Sequence, residues 1–350
     1  MKSRVNETSR LFQTERPLWL RLSWVSGSLL LFILSVGCCV TQPAARRSPA
    51  VNRQVNPERM KAAVTLLSVD YSPRSYQNPD NLNRTADYIF NQFKQAGGEP
   101  AYQVFKNGRG EYKNVRCVFG KGKGRRIVVG AHYDSCAQTP GADDNASGVA
   151  GLIELAHLLG KDDACGEVEL VAYSLEEPPF FGTDEMGSYI HAQSLVRDQV
   201  DIQGVIVLEM IGYFSDEPGS QDSPMLLLKL FYPNRGNYIL VAGRDDQKSF
   251  TKQIKIGMKG ATDLPVYSIS APRSLPGIDF SDHRNYWRWN MDAVMVTDTA
   301  FYRNKAYHTA NDTADRLDYS RMGKTVLGVY SALIHLRTPI MKTITCTKFS

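Results

Sequence analysis

Residues 126–160 decide the fold of this chain, and they read RIVVGAHYDSCAQTPGADDNASGVAGLIELAHLLG. The β-branched run at 127–129 is short and ends at Gly130, which predicts an interior strand. From Ser147 onward, apolar residues recur at helical spacing, and Gly160 provides a stop signal. We therefore expect a buried strand, a polar loop and a core-facing helix, in that order.

The predicted loop carries one imidazole and three carboxylates, at His132, Asp134, Asp143 and Asp144. Carboxylates that crowd together at the mouth of a strand repel one another unless a positive charge lies among them. A divalent cation is the simplest source of that charge. The loop therefore predicts a metal site.

The composition of the chain is that of an ordinary globular protein. Its 350 residues are 43% hydrophobic and 22% charged, which allows a sizeable core. The net charge of +5 is not gathered into a basic run or helix face, so we expect no nucleic-acid partner.

Residues 1–39 have the pattern of an export signal. Basic residues precede an apolar run at 24–37 that has signal-peptide length and is short for a membrane span. Small residues before Cys38 resemble the lipobox of bacterial lipoproteins. Three interpretations stay open: a lipoprotein signal with a lipidated Cys38, a cleaved secretory signal, and an uncleaved anchor. Each predicts export, to the periplasm or cell envelope or as a secreted protein, with membrane contact only through this segment.

The remainder of the chain divides at about residue 57. Residues 40–57 are rich in Pro, Ala, Arg and Gln, which predicts a disordered tether. Residues 58–350 are predicted to form one catalytic domain.

Four cysteines follow the predicted signal: Cys117, Cys136, Cys165 and Cys346. They form no C-x-x-C pair, so a structural zinc knuckle is not expected. An exported compartment permits disulfides, although their pairing cannot be read from the sequence. Cys136 lies four residues after His132 and could reach a metal there. We prefer to interpret it as a loop residue or a disulfide partner.

Strand-like and helix-like segments alternate along the domain. Predicted strands lie at 102–105, 114–119, 127–130, 168–173, 204–208, 225–231, 238–241, 264–269 and 293–296. Predicted helices lie at 59–69, between Asp80 and Gly97, and at 147–160, 186–197, 249–258, 281–289 and 320–335. This alternation predicts an α/β fold with a mixed, largely parallel central sheet sandwiched by helices.

Metal-ligating residue types follow four of the predicted strands. His132 ends the first core strand, the pair at 176–177 follows the next, and Glu209 ends the third. His308 lies in the polar loop beyond the strand at 293–296. Because ligands of open α/β sheets bind beyond the carboxyl ends of the strands, we expect these side chains to converge on one site.

Six short motifs along the chain occur in the order of a known family. They are HYD at 132–134, GADDNASG at 141–148, EE at 176–177, LEM at 208–210, SDH at 281–283 and YHTANDT at 307–313. The chain resembles the co-catalytic zinc exopeptidases, a family of bacterial secreted aminopeptidases, glutamate carboxypeptidase-like enzymes and glutaminyl cyclases. The resemblance covers about residues 125–335 and implies a phosphorylase/hydrolase-like α/β fold.

The resemblance also implies a site for two zinc ions. Asp144 would bridge both ions, His132 and Glu209 would complete the ligands of one, and Glu177 and His308 those of the other. Many peptidases of the family have Asp where this chain has Glu209, and the extra methylene changes where the carboxylate reaches. The number of zinc ions, one or two, therefore stays open.

Further residues have supporting roles by the same resemblance. Glu176 would be the general base and acid that acts on a water activated by the metals. Asp134 would accept the second imidazole N–H of His132. Asp312 would orient the loop of His308 or begin a helix.

The substrate pocket is expected near the last two motifs. Asp282 and His283 would line it or begin a helix, and Tyr307 would lie beside the site. The segment 178–181, Pro-Pro-Phe-Phe, replaces a shorter glycine turn of the family and is expected to form a stiff, apolar wall.

The resemblance favours an exported zinc aminopeptidase that acts on peptides. The alternative is a glutaminyl-peptide cyclotransferase, which uses a single zinc in the same fold. The intact segment at 141–148 and Tyr307 before His308 favour hydrolysis, because the cyclases replace that segment and typically have Trp before the last His. A non-catalytic binding ectodomain is disfavoured because every ligand position is filled. Carboxy-terminal specificity, side-chain preference and oligomeric state stay open.

Overall fold

An eight-stranded mixed sheet is the centre of the computed structural model, which describes residues 37–161 and 165–337. Its strands are β1 (Pro100–Asn107), β2 (Gly110–Phe119), β3 (Arg126–His132), β4 (Val168–Tyr173), β5 (Ile202–Glu209), β6 (Ile239–Arg244), β7 (Val266–Ala271) and β8 (Ala293–Thr297). They lie in the order β1-β2-β4-β3-β5-β8-β6-β7. The predicted α/β fold class is confirmed.

The four central strands β4, β3, β5 and β8 are parallel, so their carboxyl ends share one edge. His132 is paired with Tyr173 at the end of β4, and Glu209 is paired with Thr297 at the end of β8. The chain leaves β3 for β4 on one side and then returns to β5 on the other side. Such a change of direction opens a crevice at the carboxyl edge.

Helices cover both faces of the sheet. They are α1 (Pro57–Thr65), α2 (Pro79–Gln95), α3 (Gly148–Leu159), α4 (Gly187–Arg197), α5 (Lys248–Met258), α6 (His283–Trp287) and α7 (Tyr319–Arg337). Side chains of β3 alternate between the two faces, as the period of a strand requires. Ile127 and Val129 pack with α1, α2, α3, α5 and α7, whereas Val128 packs with α4 and α6.

Residues 126–160 form the predicted strand, loop and helix. Residues 127–129 are completely buried, because β3 has neighbours on both edges and helices on both faces. Helix α3 is buried almost throughout, so its Glu154 needs a partner. Arg59 of α1 supplies it, with Nε 2.7 Å from Glu154 Oε2.

One predicted strand is wrong. Residues 225–231 contain a 3₁₀-helix, Leu226–Leu230, in which Leu226 and Leu230 are exposed. A short apolar run does not distinguish strand from helix, and leucine is a good helix former. Helix α6 also begins later and ends earlier than the predicted 281–289.

The segment at 40–57, predicted to be a tether, makes several hydrogen bonds with the domain. Lys255 Nζ donates to the carbonyls of Thr41 and Gln42 at 2.8 and 3.2 Å. The backbone N–H of Asn56 donates to Glu154 Oε1 at 2.8 Å. Most of the predicted export signal, residues 1–36, lies outside the described residues, as does Cys346. Within residues 37–161 and 165–337, none of the helices combines the length and apolarity that a membrane span needs.

Candidate metal centre

Asp144 lies between two histidines at the carboxyl edge of the sheet. Its Oδ1 is 3.3 Å from His132 Nε2, and its Oδ2 is 3.1 Å from His308 Nε2. Each oxygen of one carboxylate thus faces a different imidazole. This is the arrangement expected of a carboxylate that bridges two metal ions.

Two glutamates flank this group, one beside each histidine. Glu209 Oε2 lies 3.3 Å from His132 Nε2, and Glu177 Oε2 lies 3.2 Å from His308 Nε2. Ser281 Oγ donates a 2.7 Å hydrogen bond to Glu209 Oε2 and fixes that carboxylate. The carboxylate of Glu209 thus lies beside His132 despite its longer side chain, and its role as a metal ligand stays a prediction.

The loop that carries Asp144 is held by its own backbone and by Asn145. Gly141 has φ +59°, and a Cβ there would lie 2.3 Å from the carbonyl oxygen of Asp144, so only glycine fits. Asn145 donates to the carbonyl of Leu208 at 2.8 Å and accepts the N–H groups of Gly148 and Met210. These bonds tie the start of α3 to the end of β5, which fixes Asp144 beside Glu209.

Asp134 holds the backbone of Glu176 and Glu177 in place. The backbone N–H groups of Glu176 and Glu177 donate to its two carboxylate oxygens at 3.2 and 3.0 Å. His132 Nδ1 lies 3.2 Å from the carbonyl oxygen of Asp134 and 3.4 Å from its Oδ1. The imidazole is therefore oriented by the same residue that fixes the loop after β4.

Asp312 connects the loop of His308 to the loop of Asp144. Its carboxylate accepts the backbone N–H groups of Asp143 and Asp144 at 3.0 and 3.1 Å. Burial, followed by the charge of Asp143, raises the pKa of Asp312 to about 7. Asp143 accepts hydrogen bonds from the backbone N–H of Gly212 and from the side-chain amide of Asn304. It thereby connects the loop of Asp144 to the segments after β5 and β8.

The acidic groups of the centre strongly affect one another. Burial, together with the charge of Asp144, raises the pKa of Glu177 to about 8. Burial also raises the pKa of Glu176 well above its ordinary value, and the neighbouring Glu177 and Glu209 add to this effect, while His132 opposes it. Although burial acts in the other direction, the two neighbouring imidazoles lower the pKa of Asp144.

Several polar atoms of the centre are buried without a hydrogen-bond partner among the described residues. They include His132 Nε2, His308 Nε2 and Glu177 Oε1. Buried polar atoms are costly unless they are satisfied. Ligand atoms of His132, Asp144 and Glu209 lie within 4.8 Å of one another, as do those of Cys136, Glu177 and His308. Imidazole and carboxylate ligands suit zinc, so these residues fit a metal, and their roles as ligands stay a prediction.

Arg74 is a supporting residue that the motifs do not predict. It is completely buried and donates to the carbonyls of Leu67, Tyr133, Pro140 and Gly141 at 2.6–2.9 Å. It thereby fixes both ends of the loop between His132 and Asp144. Its partners are backbone carbonyls, which leave no pattern in a sequence, so no local signal could have identified it.

A cavity of about 350 Å³ opens beside Glu209 and Tyr307. Its lining is mostly apolar and comes from β6, β7, β8 and the loops around them. The lining includes Ala242, Ile269, Ile278, Phe280, Met295 and Phe301. Tyr307 stacks on His308 with ring centroids 3.8 Å apart, so the cavity reaches the metal centre directly.

Asp282 and His283 lie at the start of α6, the second of the two positions expected for them. Both are completely buried and neither lines the cavity. Burial lowers the pKa of His283 to about 4, and its Nε2 lies 2.8 Å from the carbonyl oxygen of Ile278. Residues 178–181, predicted to form a wall of the pocket, do not line this cavity either. Phe181 contacts Phe280, which does line it, with ring centroids 6.0 Å apart.

The fold and the buried cluster of carboxylates and histidines are those of a metallopeptidase. The model of Peptidase family M28 matches residues 114–332, and the chain belongs to this family. The suspected family is thus confirmed.

Curated relatives extend the similarity over most of the chain. The chain is 45% identical to YfbL of Escherichia coli (strain K12), described as uncharacterized, over 314 residues, which are 87% of this chain and 96% of YfbL. It is 24% identical to leucine aminopeptidase 1 of Ajellomyces capsulatus (strain H88) over 295 residues, or 77% of this chain and 69% of that protein.

Solved structures share the fold. LapB from Legionella pneumophila superposes with a TM-score of 0.64 at 21% identity, covering 81% of this chain and 72% of LapB. A Zn-dependent exopeptidase from Parabacteroides distasonis gives 0.61 at 15% identity, covering 81% of this chain and 99% of that one. Glutaminyl cyclase from Bacteroides thetaiotaomicron gives 0.60 at 16% identity, covering 81% and 98%. Because these proteins have different activities, the fold alone does not choose between them.

Proposed function

We propose that this protein is an exported, zinc-dependent aminopeptidase with a co-catalytic pair of zinc ions bridged by Asp144. The observation that carries the proposal is the position of the Asp144 carboxylate, whose two oxygens face His132 and His308 at 3.3 and 3.1 Å. Glu209 and Glu177 supply the remaining carboxylate ligands, one on each side. The Zn-dependent exopeptidase among the structural neighbours supports the choice of metal.

Zinc ions bound there would lower the pKa of a water and polarise the scissile carbonyl. Glu176 is placed to accept the proton of that water, because it lies in the same buried group. Its Oε2 is 3.9 Å from His132 Nε2. A raised pKa suits a group that must first accept a proton from water and then donate it to the departing amine. Asp134 holds Glu176 in place through the backbone N–H of that residue.

The substrate is an unblocked peptide whose first side chain enters the cavity beside Glu209. An apolar cavity of about 350 Å³ has room for a large apolar side chain, and burial of that side chain contributes to binding. The similarity to leucine aminopeptidase 1 supports the amino-terminal specificity. The basic and apolar pattern of residues 1–39 supports export.

Glutaminyl cyclisation is the second candidate, because a glutaminyl cyclase shares the fold. A cyclase site needs one zinc ion, whereas this site has an imidazole on each side of Asp144. If only one ion is bound, one of the two histidines, His132 or His308, is left without a metal. That difference makes metal stoichiometry a discriminating quantity.

The test combines a zinc count with two assays on the same preparation. We expect two zinc ions per chain, hydrolysis of leucyl-p-nitroanilide, and loss of hydrolysis when the zinc is removed by a chelator and its return when zinc is restored. An amino-terminal glutaminyl peptide should lose its first residue rather than cyclise. One zinc ion per chain, with cyclisation and no anilide hydrolysis, would contradict the proposal.

A further inference from the structure

We propose that the thiolate of Cys136 is an additional ligand of the metal held by Glu177 and His308, an inference that rests on the metal site of the proposed function. The Sγ of Cys136 and ligand atoms of Glu177 and His308 all lie within 4.8 Å of one another. Glu177 Oε2 lies 3.2 Å from His308 Nε2, so the three side chains form one compact group.

Hydrogen bonds hold the loop that carries Cys136 on both sides of this residue. Thr139 donates to the Cys136 carbonyl twice, from its N–H at 2.9 Å and from its Oγ1 at 2.7 Å. Arg74 N–H donates to Ser135 Oγ at 3.1 Å, and Arg74 Nη1 donates to the carbonyl of Pro140 at 2.8 Å. Residues on both sides of Cys136 are therefore anchored to one buried arginine.

An independent observation points to a ligand at the same place. Glu177 is buried, and its Oε1 has no hydrogen-bond partner among the described residues. Cys136 also forms no disulfide bond within the described part of the chain. A carboxylate with one unsatisfied oxygen and a free thiol thus lie beside the same imidazole, and a cation bound there would be a partner for all three side chains.

The thiolate would make the two metal positions chemically different. On the side of His308 it adds a sulfur to one nitrogen and to the oxygens of Glu177 and Asp144. Those four ligands are the number that a closed zinc site uses. On the side of His132 the protein supplies three ligands, with Glu209 and Asp144, which is the number found where zinc keeps a position open. The thiol proton passes to solvent when the sulfur binds the metal.

X-ray absorption at the zinc edge of the full-length, zinc-loaded protein tests this inference. Zinc–sulfur bonds are about 2.3 Å long and zinc–nitrogen or oxygen bonds about 2.0–2.2 Å, so a sulfur shell is resolved without any activity assay. We expect one sulfur for every two zinc ions in the wild type. Cys136→Ser should lose the sulfur shell, whereas the control Cys117→Ala, on β2, should retain it. The cobalt-substituted protein should likewise lose its sulfur-to-cobalt charge-transfer band in Cys136→Ser alone.

The outcomes separate this inference from the proposed function. A wild-type protein that binds zinc without a sulfur shell would overturn the thiolate ligand and leave the aminopeptidase proposal untouched. A sulfur shell in a protein that does not hydrolyse peptides would support the ligand and overturn the function. A shell that persists in Cys136→Ser would assign the sulfur to another residue and also overturn the inference.

Discussion

The carboxylate of Asp134 accepts the backbone N–H of Glu177 at 3.0 Å, across the edge where β3 and β4 end. The same residue lies against the Nδ1 of His132. One side chain therefore aligns an imidazole on one side of the centre and a carboxylate on the other. Residues in such positions affect metal affinity without touching the metal.

Asp134→Asn should weaken zinc binding. The amide replaces one acceptor oxygen by an NH₂ group, which would face a backbone N–H donor. We expect zinc affinity to fall by about 10–100-fold, the usual effect of removing a partner behind a metal ligand. Competition with a chromogenic chelator measures it. Asp184→Asn, at an exposed aspartate paired with Arg288, is the matched control; equal affinities in the two variants would remove Asp134 from this role.

Arg74→Leu should destabilise the protein and the metal site together. The variant leaves four buried carbonyls without their donor, and such a loss costs about 3–5 kcal/mol of unfolding free energy. Denaturant titration with and without zinc measures the change. Arg84→Leu is the control, because Arg84 stacks on Tyr71 outside the loop network. A loss below about 1 kcal/mol in Arg74→Leu would show that water replaces the guanidinium.

Glu169 should make the free energy of unfolding depend on pH in the acidic range. It is completely buried in β4, with Arg116 and Arg126 on its two oxygens and His191 nearby. Burial acts to raise the pKa of Glu169, but the charges and hydrogen bonds of these partners lower it below the ordinary 4.5. The pKa of Glu169 is lower in the folded protein than in the unfolded chain. Its contribution to the free energy of unfolding is therefore complete above pH 4.5 and is lost as the pH falls below that value.

Glu169→Gln should therefore lower the free energy of unfolding by about 2–4 kcal/mol at pH 7. This is less than the usual loss on breaking a buried ion pair, because both arginines are partly exposed. Its unfolding free energy should also fall less steeply than that of the wild type between pH 4.5 and pH 3. Glu111→Gln, at an exposed glutamate, should behave like the wild type. Parallel pH profiles for the wild type and Glu169→Gln would contradict the assignment.

Ala242→Phe should alter substrate preference. Ala242 is buried in β6 and lines the cavity, so a phenyl ring there takes the space proposed for the first side chain of the substrate. We expect kcat/KM for leucyl anilide to fall about tenfold or more relative to that for alanyl anilide. An unchanged ratio, in a variant with an unchanged melting temperature, would place the substrate side chain elsewhere.

The sequence predicts the centre better than its surroundings, for physical reasons. His132 and Glu209 end parallel strands and Glu177 lies beyond a third, and β-branched apolar runs mark these strands in the sequence. Because the carboxyl ends of parallel strands share one edge of the sheet, the sequence could predict that these residues converge. The run at 225–231 is rich in leucine and has no β-branched residue, and its wrong assignment as a strand follows from that difference. Arg74 and the hydrogen bonds at 40–57 depend on tertiary contacts with backbone carbonyls, which a sequence does not display. The distance of Cys136 from His308 cannot be read from the sequence, because it depends on how two loops fold.

The most direct test of the central claim is the variant Glu176→Gln, prepared with zinc beside the wild type. Glu176 is proposed to move the proton and not to hold the metals, so the variant should bind two zinc ions with wild-type affinity. It should lose about 10²–10⁴-fold in kcat for leucyl-p-nitroanilide, the contribution usual for a general base. Full turnover by a variant that retains both zinc ions would contradict the account.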